Sequence, residues 1–282
     1  MSARSWGPIG GKSFVYLATA RLQSHYAVQW LARAARAYIP PEPDDSHTNL
    51  GWNDTIKGFV THALKDDVRL ALRLSDLTLL LLGQPKPLSF ALNRRTDTQA
   101  RQWLGEQLTA CGLEAAALDA PSPYELPSDP IGSGTAYGTA ETEEALAELS
   151  NWFGNADISL TAIRGRTDAR VLVSSPVRCW PHHFDVATLA SLDKSGAEHG
   201  RSVNTGFSPG DHHYKEPYFY VSPYPYPETA ALKPLPALGH WHTHEFTAAV
   251  APASRIVAAG NPQNEVDIFL GGAINACLNA LS

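Results

Sequence analysis

The sequence has few of the residues that mark secreted or membrane-embedded proteins. Only three of its 282 residues are cysteines, Cys111, Cys179 and Cys277, and no apolar run approaches the roughly 18 residues of a membrane span. An odd number of widely spaced cysteines predicts unpaired thiols in a reducing compartment. Cys111 and Cys277 fall on apolar helix stripes, so we expect both to be buried. Residues 1–12 also lack the charged-then-apolar pattern of a secretory signal. We therefore expect a cytoplasmic protein without a membrane partner.

Charge is sparse as well. Charged residues make up 18% of the chain, and 22 Lys and Arg stand against 28 Asp and Glu, for a formal net charge of −6. A mildly acidic chain has no broad basic surface, which argues against a nucleic-acid partner. Hydrophobic residues reach 44%, enough for a sizeable core. A small molecule is the predicted class of partner, and the oligomeric state stays open.

Local patterns predict a few helices and many strands. A long apolar helix is expected at about 13–38, a second helix should begin at a capping box formed by Thr96 and Gln99, and the last should begin at Asn261 with Pro262 in its first turn. Consecutive strands without intervening helices predict an α+β fold, a mostly antiparallel sheet with flanking helices. Two similar helix–strands–helix halves are a further alternative.

The domain organisation is expected to be simple. We predict a single integrated domain over residues 1–282. Residues 119–139 are rich in Pro, Gly and Ser, which is typical of a linker. If that stretch divides the chain, the lobes would be 1–125 and 140–282.

Histidine is the most unevenly distributed residue. Eight of the eleven histidines lie between His182 and His244, and seven of these eight fall in three groups, at 180–185, 209–216 and 240–245. Imidazole and carboxylate side chains are the usual ligands of divalent metals, and they also serve as acids and bases near neutral pH. The three groups therefore mark the candidate site.

The third group fits a strand over 239–250. In a strand His240, His242 and His244 would share the face that continues into the apolar Phe246. We predict His242 and His244 as metal ligands. The alternative is that these histidines bind backbone groups at a polar end of the sheet.

The first group fits a strand over 182–191. His183 and Asp185 would share one face, with His182 on the other. We predict His182 and His183 as metal ligands and Asp185 as a catalytic acid or base. An equally good alternative is that Asp185 caps a turn or pairs with an arginine.

The second group surrounds a predicted turn at residues 208–211. Glu216 stands before an aromatic strand that begins at Tyr218, and apolar surroundings would raise its pKa, so we predict Glu216 as a second catalytic acid or base. Its alternative is a hydrogen bond to backbone. Four further residues are predicted to line the pocket: His47, Asp211, Tyr218 and Trp241.

The sharpest expectation is a common cavity. His183, Asp185, Glu216 and His242 should line it, because gathering such groups away from water costs folding energy and so points to a functional cause.

Four stretches together resemble a known family. They read DDSHTNLGW from Asp44, CWPHHFDVATL from Cys179, GFSPGDHHYKEPYFYVSPYPYP from Gly206 and WHTHEFTAAVAP from Trp241. The chain resembles an uncharacterised bacterial family with a WPHHFD and SPGDxxYxEPYFYV signature, and the resemblance covers most of the chain. It implies one integrated unit but no activity, and it draws attention to four residues: His183, Asp185, Asp211 and Glu216. The family tends toward WHTEG in the last stretch, so His244 is a departure.

Two functions rank first on the sequence, ahead of a structural or assembly module in which the strand rich in Tyr and Pro is an interface. The first is a metal-assisted hydrolase or another acid/base enzyme that acts on a small molecule, with a divalent metal ion as the candidate cofactor. The second is a non-enzymatic protein that binds a small ligand in an aromatic and histidine-rich pocket.

Overall fold

The computed structural model describes residues 4–166, 168–194 and 200–282. These residues form two compact units. The N-terminal unit comprises Gly11–Asn151 and Cys179–Phe184, and the C-terminal unit comprises Met1–Gly10, Trp152–Arg178 and Asp185–Ser282. The predicted single integrated domain stays a prediction.

The described residues contain five helices and two antiparallel sheets, so the predicted α+β class is confirmed. In chain order the elements are α1 (Phe14–Tyr38), β1 (Gly51–Asn53), β2 (Gly58–Val60), β3 (Arg69–Arg73), β4 (Thr78–Leu82), β5 (Leu88–Ala91), α2 (Asp97–Ala110), α3 (Glu143–Arg164), β6 (Val173–Ser174), β7 (Arg178–Trp180), β8 (Asp185–Ser191), β9 (Ser202–Ser208), β10 (Tyr218–Tyr224), β11 (His240–His242), β12 (Ala248–Pro252), α4 (Ala253–Val257) and α5 (Pro262–Ala280).

The N-terminal unit holds the five-stranded sheet, a meander in the order β1-β2-β3-β4-β5. Alternation in β3 buries Leu70 and Leu72 completely, and tertiary burial rather than local propensity holds such short strands. Helix α1 packs on β3 and buries most of its own length. The short return segment Cys179–Phe184 is tied in by paired backbone hydrogen bonds between Leu50 and Cys179, both 2.9 Å.

The C-terminal unit contains the path β11-β12-β10-β9-β8-β6 of a seven-stranded sheet. The seventh strand is β7, and the boundary between the units falls within it. Helix α5 packs against β10 and β9 with an apolar stripe that includes the fully buried Val266, Phe269 and Leu270. The predicted start of this helix is confirmed, since the Asn261 side chain accepts from the Asn264 amide and Pro262 occupies the first turn.

Two predicted strands are wrong in extent. The stretch 182–191 is a strand only from Asp185, because His183 and Phe184 form a turn on the Trp180 carbonyl and Phe184 takes a left-handed φ of 57°. His183 and Asp185 therefore do not share a strand face. The stretch 239–250 is two strands, β11 and β12, paired as a hairpin.

The capping box of α2 is confirmed, with hydrogen bonds in both directions between Thr96 and Gln99. We expect Thr96→Ala to lower the free energy of unfolding by about 1 kcal/mol, because it leaves a helix N–H without its acceptor. Urea unfolding measures this. Thr98→Ala, at an exposed position in the first turn, is the matched control and should leave stability unchanged or slightly higher. Equal stability of the Thr96→Ala variant and wild type would contradict the capping role.

The three cysteines form no disulfide with one another. Cys277 is buried as predicted, and burial raises the pKa of its thiol to about 12. The prediction that Cys111 is buried is wrong, because this residue is the C-cap of α2 and stands past the apolar stripe. Within the described ranges, the helices all fall short of the length and apolarity that crossing a membrane requires.

Candidate functional site

Strand β10 separates an apolar face from an aromatic polar face in the C-terminal unit. Phe219 and Val221 are fully buried and belong to the side on which α5 packs. Tyr218 and Tyr220 alternate with them and so lie on the opposite face. Strand β11 adds His240 and His242 to that same face, since His240 pairs with Val250, which pairs with Tyr220. We call this side of the sheet the tyrosine face.

Two tyrosine hydroxyls on this face donate to aspartates. Tyr218 donates to Asp211 Oδ2 and Tyr220 to Asp185 Oδ2, each at 2.5 Å, the short distance typical of a charged acceptor. Burial, and after it the negative charge of the paired aspartate, raises the pKa of Tyr218 and of Tyr220 well above the usual range. Both phenols therefore stay protonated and act as fixed donors.

A glycine makes room for the second of these pairs. Gly206 in β9 lies opposite Tyr220, and a Cβ placed on it would lie 2.5 Å from the Cζ and hydroxyl oxygen of that ring. No real side chain tolerates such a contact, so the ring lies across β9 only because residue 206 lacks a side chain. This packing directs the Tyr220 hydroxyl to Asp185 on β8.

Asp211 also organises the turn that follows it. Its Oδ1 accepts from the amides of His213 (2.8 Å) and Tyr214 (2.9 Å), and its own amide donates to the Tyr214 carbonyl (2.7 Å). An aspartate that bonds the backbone two and three residues ahead fixes a tight turn. The turn in turn sets where the side chains of His212, His213 and Tyr214 point.

The Tyr214 hydroxyl connects two histidines of β11. It lies 3.1 Å from His240 Nε2 and 3.0 Å from His242 Nδ1, and His242 Nε2 lies 2.6 Å from the His244 carbonyl oxygen. A carbonyl only accepts, so the neutral His242 ring carries its proton on Nε2 and accepts at Nδ1. Tyr214 therefore donates to His242 and accepts from His240 Nε2–H. We call His240, Tyr214 and His242 the tyrosine–histidine chain.

The first member of the chain is held neutral by its surroundings. Burial, and after it the positive charge of Arg255, lowers the pKa of His240. With its proton on Nε2, the ring keeps a lone pair on Nδ1, a buried atom that has no hydrogen-bond partner among the described residues. Donation in the chain thus has one direction, from His240 through Tyr214 to His242, and the unpaired Nδ1 lone pair lies at its His240 end.

The turn between β11 and β12 brings a carboxylate to the two histidines of the Asp211 turn. Glu245 adopts a left-handed φ of 68°, which is costly for a residue with a side chain. Its Oε2 lies 3.7 Å from His213 Nε2. Ligand atoms of His212, His213 and Glu245 all lie within 4.8 Å of one another. We call these three residues the His–His–Glu group, and His213 also contacts the rings of His242 and Phe246.

The predicted residues of the C-terminal unit have mixed positions. Asp185, Asp211, Tyr218 and His242 lie on or beside the tyrosine face, as described above. Glu216 instead accepts from the amide and hydroxyl of Ser254 in the first turn of α4, which is the backbone-bonding alternative. The predicted ligand His244 has a side chain that is 85% exposed. Trp241, the remaining predicted pocket residue in this unit, donates its indole N–H to the Lys233 carbonyl and lies on the opposite side of β11.

Three predicted residues belong to the N-terminal unit. His182 contacts the rings of His183 and Tyr124, and burial lowers its pKa to about 4. His183 is exposed, and His47 is buried with its Nδ1 accepting from the Glu42 amide. The predicted common cavity draws His183 from one unit and its other members from the other unit, so it stays a prediction.

Sequence reasoning missed much of the site. Tyr214, Tyr220, His213 and Glu245 received no role, although Tyr220 stands two residues after Tyr218 in a strand and so had to share its face. The Glu245 turn had a weaker signal, the polar stretch that separates β11 from the apolar β12.

Comparison with known proteins gives a family but no activity. Residues 47–280 match the model of a family of unknown function, DUF5996, and the chain belongs to this family. No curated protein and no solved structure matches the chain.

Proposed function

We propose that the chain is a metal-dependent hydrolase, or another acid/base enzyme, that acts on a small molecule, with its divalent cation held by His212, His213 and Glu245. The supporting observation is the gathering of three ligand atoms within 4.8 Å from two separate turns. Two imidazoles and one carboxylate form a ligand set found in catalytic zinc sites, where the fourth position is left to water. The metal assignment predicted for His182, His183, His242 and His244 is replaced by this set.

The two turns support the proposal because each is fixed by its own interactions. Asp211 binds the amides of His213 and Tyr214, which restricts the histidine turn. Glu245 keeps an unfavourable backbone conformation, and such conformations persist where the surrounding structure determines them and cluster at functional sites. A ligand set held by restricted turns pays less entropy when it binds a cation.

The tyrosine–histidine chain supplies the acid/base part of the proposal. A divalent cation lowers the pKa of a bound water to about 7, which makes it a nucleophile near neutral pH. The Tyr214 hydroxyl belongs to the residue next to His213, and its proton is directed to His242 Nδ1. We infer that Tyr214 positions a polar group of the substrate and relays one proton from it. The Tyr214 oxygen takes that proton as the hydroxyl gives its own to His242 Nδ1, which leaves His242 as the imidazolium.

Zinc titration by calorimetry of chelator-treated protein tests the cation site. We expect one zinc ion per chain, and we expect His213→Asn and Glu245→Gln each to weaken binding by at least about 100-fold, since even residues outside the ligand set cost 10–100-fold. His244→Asn is the matched control, because it changes an exposed histidine in the same turn. Absence of stoichiometric binding, or a loss with His244→Asn equal to that with His213→Asn, would overturn the assignment.

A second measurement separates the enzyme from the binding protein. We expect ester, amide or phosphate-ester hydrolysis that requires added metal and is lost in Glu245→Gln. Zinc binding without any metal-dependent turnover would favour the alternative of a small-ligand-binding protein. That alternative also has structural support, since the rings of Tyr214, Tyr218 and Tyr220 contact one another and form an aromatic surface on the tyrosine face.

A further inference from the structure

A cavity of about 220 Å³ lies within the C-terminal unit, and neither the sequence motifs nor the proposed function uses it. It is lined by the end of α3, by residues that follow it, by α5 and by the sheet. Apolar atoms make up most of its wall, although seven polar or charged side chains also line it. The aliphatic lining residues are Ile163, Val171, Ala190, Ile274 and Leu278.

Two of the uncharged polar side chains of the wall already bind other groups of the protein. Thr188 donates its hydroxyl to the Ser175 carbonyl at 2.7 Å, so its hydrogen is not offered to a ligand. The amide oxygen of Asn275 accepts from Arg170 at 3.2 Å. The interior therefore favours an apolar body. For scale, an engineered apolar cavity of about 150 Å³ in another protein binds benzene, so this one has room for a six-membered ring.

Positive charge remains at the edge of the cavity. Arg164 and Arg166 line it, and in the described part of the chain neither guanidinium takes part in an ion pair. The one lining carboxylate, Asp168, is bound by Arg170 through both of its oxygens, and this partner lowers the pKa of Asp168 to about 2. Asp168 therefore stays ionised but is already neutralised. Arg164 donates one N–H to the Ser174 carbonyl at 3.4 Å, and its other donors and those of Arg166 are left for a ligand.

The space itself depends on a glycine. Gly271 stands in the middle of α5, where glycine costs a helix about 1 kcal/mol relative to alanine. A Cβ on this residue would point at Arg166, 3.2 Å from its Nη1. A side chain larger than alanine would thus occupy the mouth beside the guanidinium.

We propose that this cavity binds a small monocarboxylate whose apolar body is about the size of a six-membered ring. The ring would fill the aliphatic interior, and the carboxylate would accept from Arg164 and Arg166, the side chains whose fork of donors matches its geometry. This site is separate from the proposed cation site and does not depend on the proposed function. A small aryl carboxylate such as benzoate is the simplest ligand with this chemistry.

Calorimetry and ligand-observed NMR with benzoate test the proposal on metal-depleted protein. We expect a Kd of the order of 1 mM, as is usual for a ligand of about nine non-hydrogen atoms. Benzyl alcohol, which has the same ring without the charge, should bind at least about tenfold more weakly, because it lacks the charge-assisted hydrogen bonds. Equal binding of the two compounds, or no benzoate binding at about 10 mM, would overturn the proposal.

Variants locate the binding. The double variant Arg164→Gln with Arg166→Gln should weaken benzoate binding at least about tenfold, while Arg255→Gln, which changes an exposed arginine outside the cavity, should leave it unchanged. Gly271→Leu should abolish binding while keeping thermal stability, because leucine suits a helix and meets only the flexible end of Arg166. Undiminished benzoate binding in the folded Gly271→Leu protein would place the ligand elsewhere and refute the assignment.

Discussion

Gly206→Ala should destabilise the protein by about 3 kcal/mol, although it adds a single methyl group to a strand. The new Cβ would lie 2.5 Å from the Tyr220 ring, so the ring must move off β9. Its hydroxyl then loses Asp185, and a half-buried phenol and a carboxylate lose the short hydrogen bond that joins them. Chemical denaturation of wild type and variant measures the change in the free energy of unfolding.

A control variant and a double-mutant cycle test this prediction. Gly260→Ala makes the same change where a Cβ meets nothing within 4 Å, and it should be close to neutral. In a Tyr220→Ala background the ring is gone, so Gly206→Ala should cost little there, and the two changes should be strongly non-additive. Additive costs would show that Gly206 does not act through Tyr220.

The second large effect is a loss of stability in acid. Burial lowers the pKa of His25 from 6.5 to about 4, and the ring is held neutral on the Pro181 carbonyl, with its Nε2 at 2.9 Å. Between these values the unfolded chain binds a proton that the folded protein excludes, so the free energy of unfolding falls as the pH drops. For His25 the loss should be about 3 kcal/mol from pH 7 to pH 4. His182, whose pKa burial also lowers to about 4, acts in the same direction.

Measuring the free energy of unfolding at several pH values tests whether His25 causes the loss of stability in acid. His25→Gln removes the titrating group, so stability should vary less with pH in the variant, by about 3 kcal/mol over the same interval. His244→Gln changes an exposed histidine and should keep the wild-type pH dependence. An unaltered pH profile in His25→Gln would mean that another group causes the acid sensitivity.

The parts of the fold that sequence predicts well are those with local causes. The capping box at Thr96 and the start of α5 at Asn261 depend on residues three positions apart, so their geometry follows from the sequence directly. The α+β class followed from the number of strands without helices between them. The extents of single strands were harder to predict. The strand expected over 182–191 begins only at Asp185, because Phe184 adopts a left-handed backbone conformation that phenylalanine rarely takes.

The site was predicted only in part for a related reason. Two of the three histidine groups contribute histidines to the tyrosine face or the turns beside it, and Asp211, Tyr218 and His242 lie together there. Their partners depend on strand pairing, which places His240 and Tyr214 side by side across 26 residues of sequence. A continuous strand over 239–250 would have kept Glu245 away from the core face, whereas the hairpin turn presents it to His213. Strand register and turns, which sequence spacing does not encode, decide which side chains meet in the site.

The way the chain alternates between units bears on its synthesis. The segment Cys179–Phe184 belongs to the N-terminal unit, yet it is translated after Trp152–Arg178 of the other unit. The Pro181 carbonyl oxygen forms hydrogen bonds with His25 Nε2 and with the side-chain amide of Gln29. The backbone of Cys179 pairs with that of Leu50. During synthesis, α1 and the first sheet therefore cannot complete their contacts with this segment until the chain has been translated as far as residue 184. Ribosome-bound chains that end before residue 179 should therefore have an incompletely folded N-terminal unit.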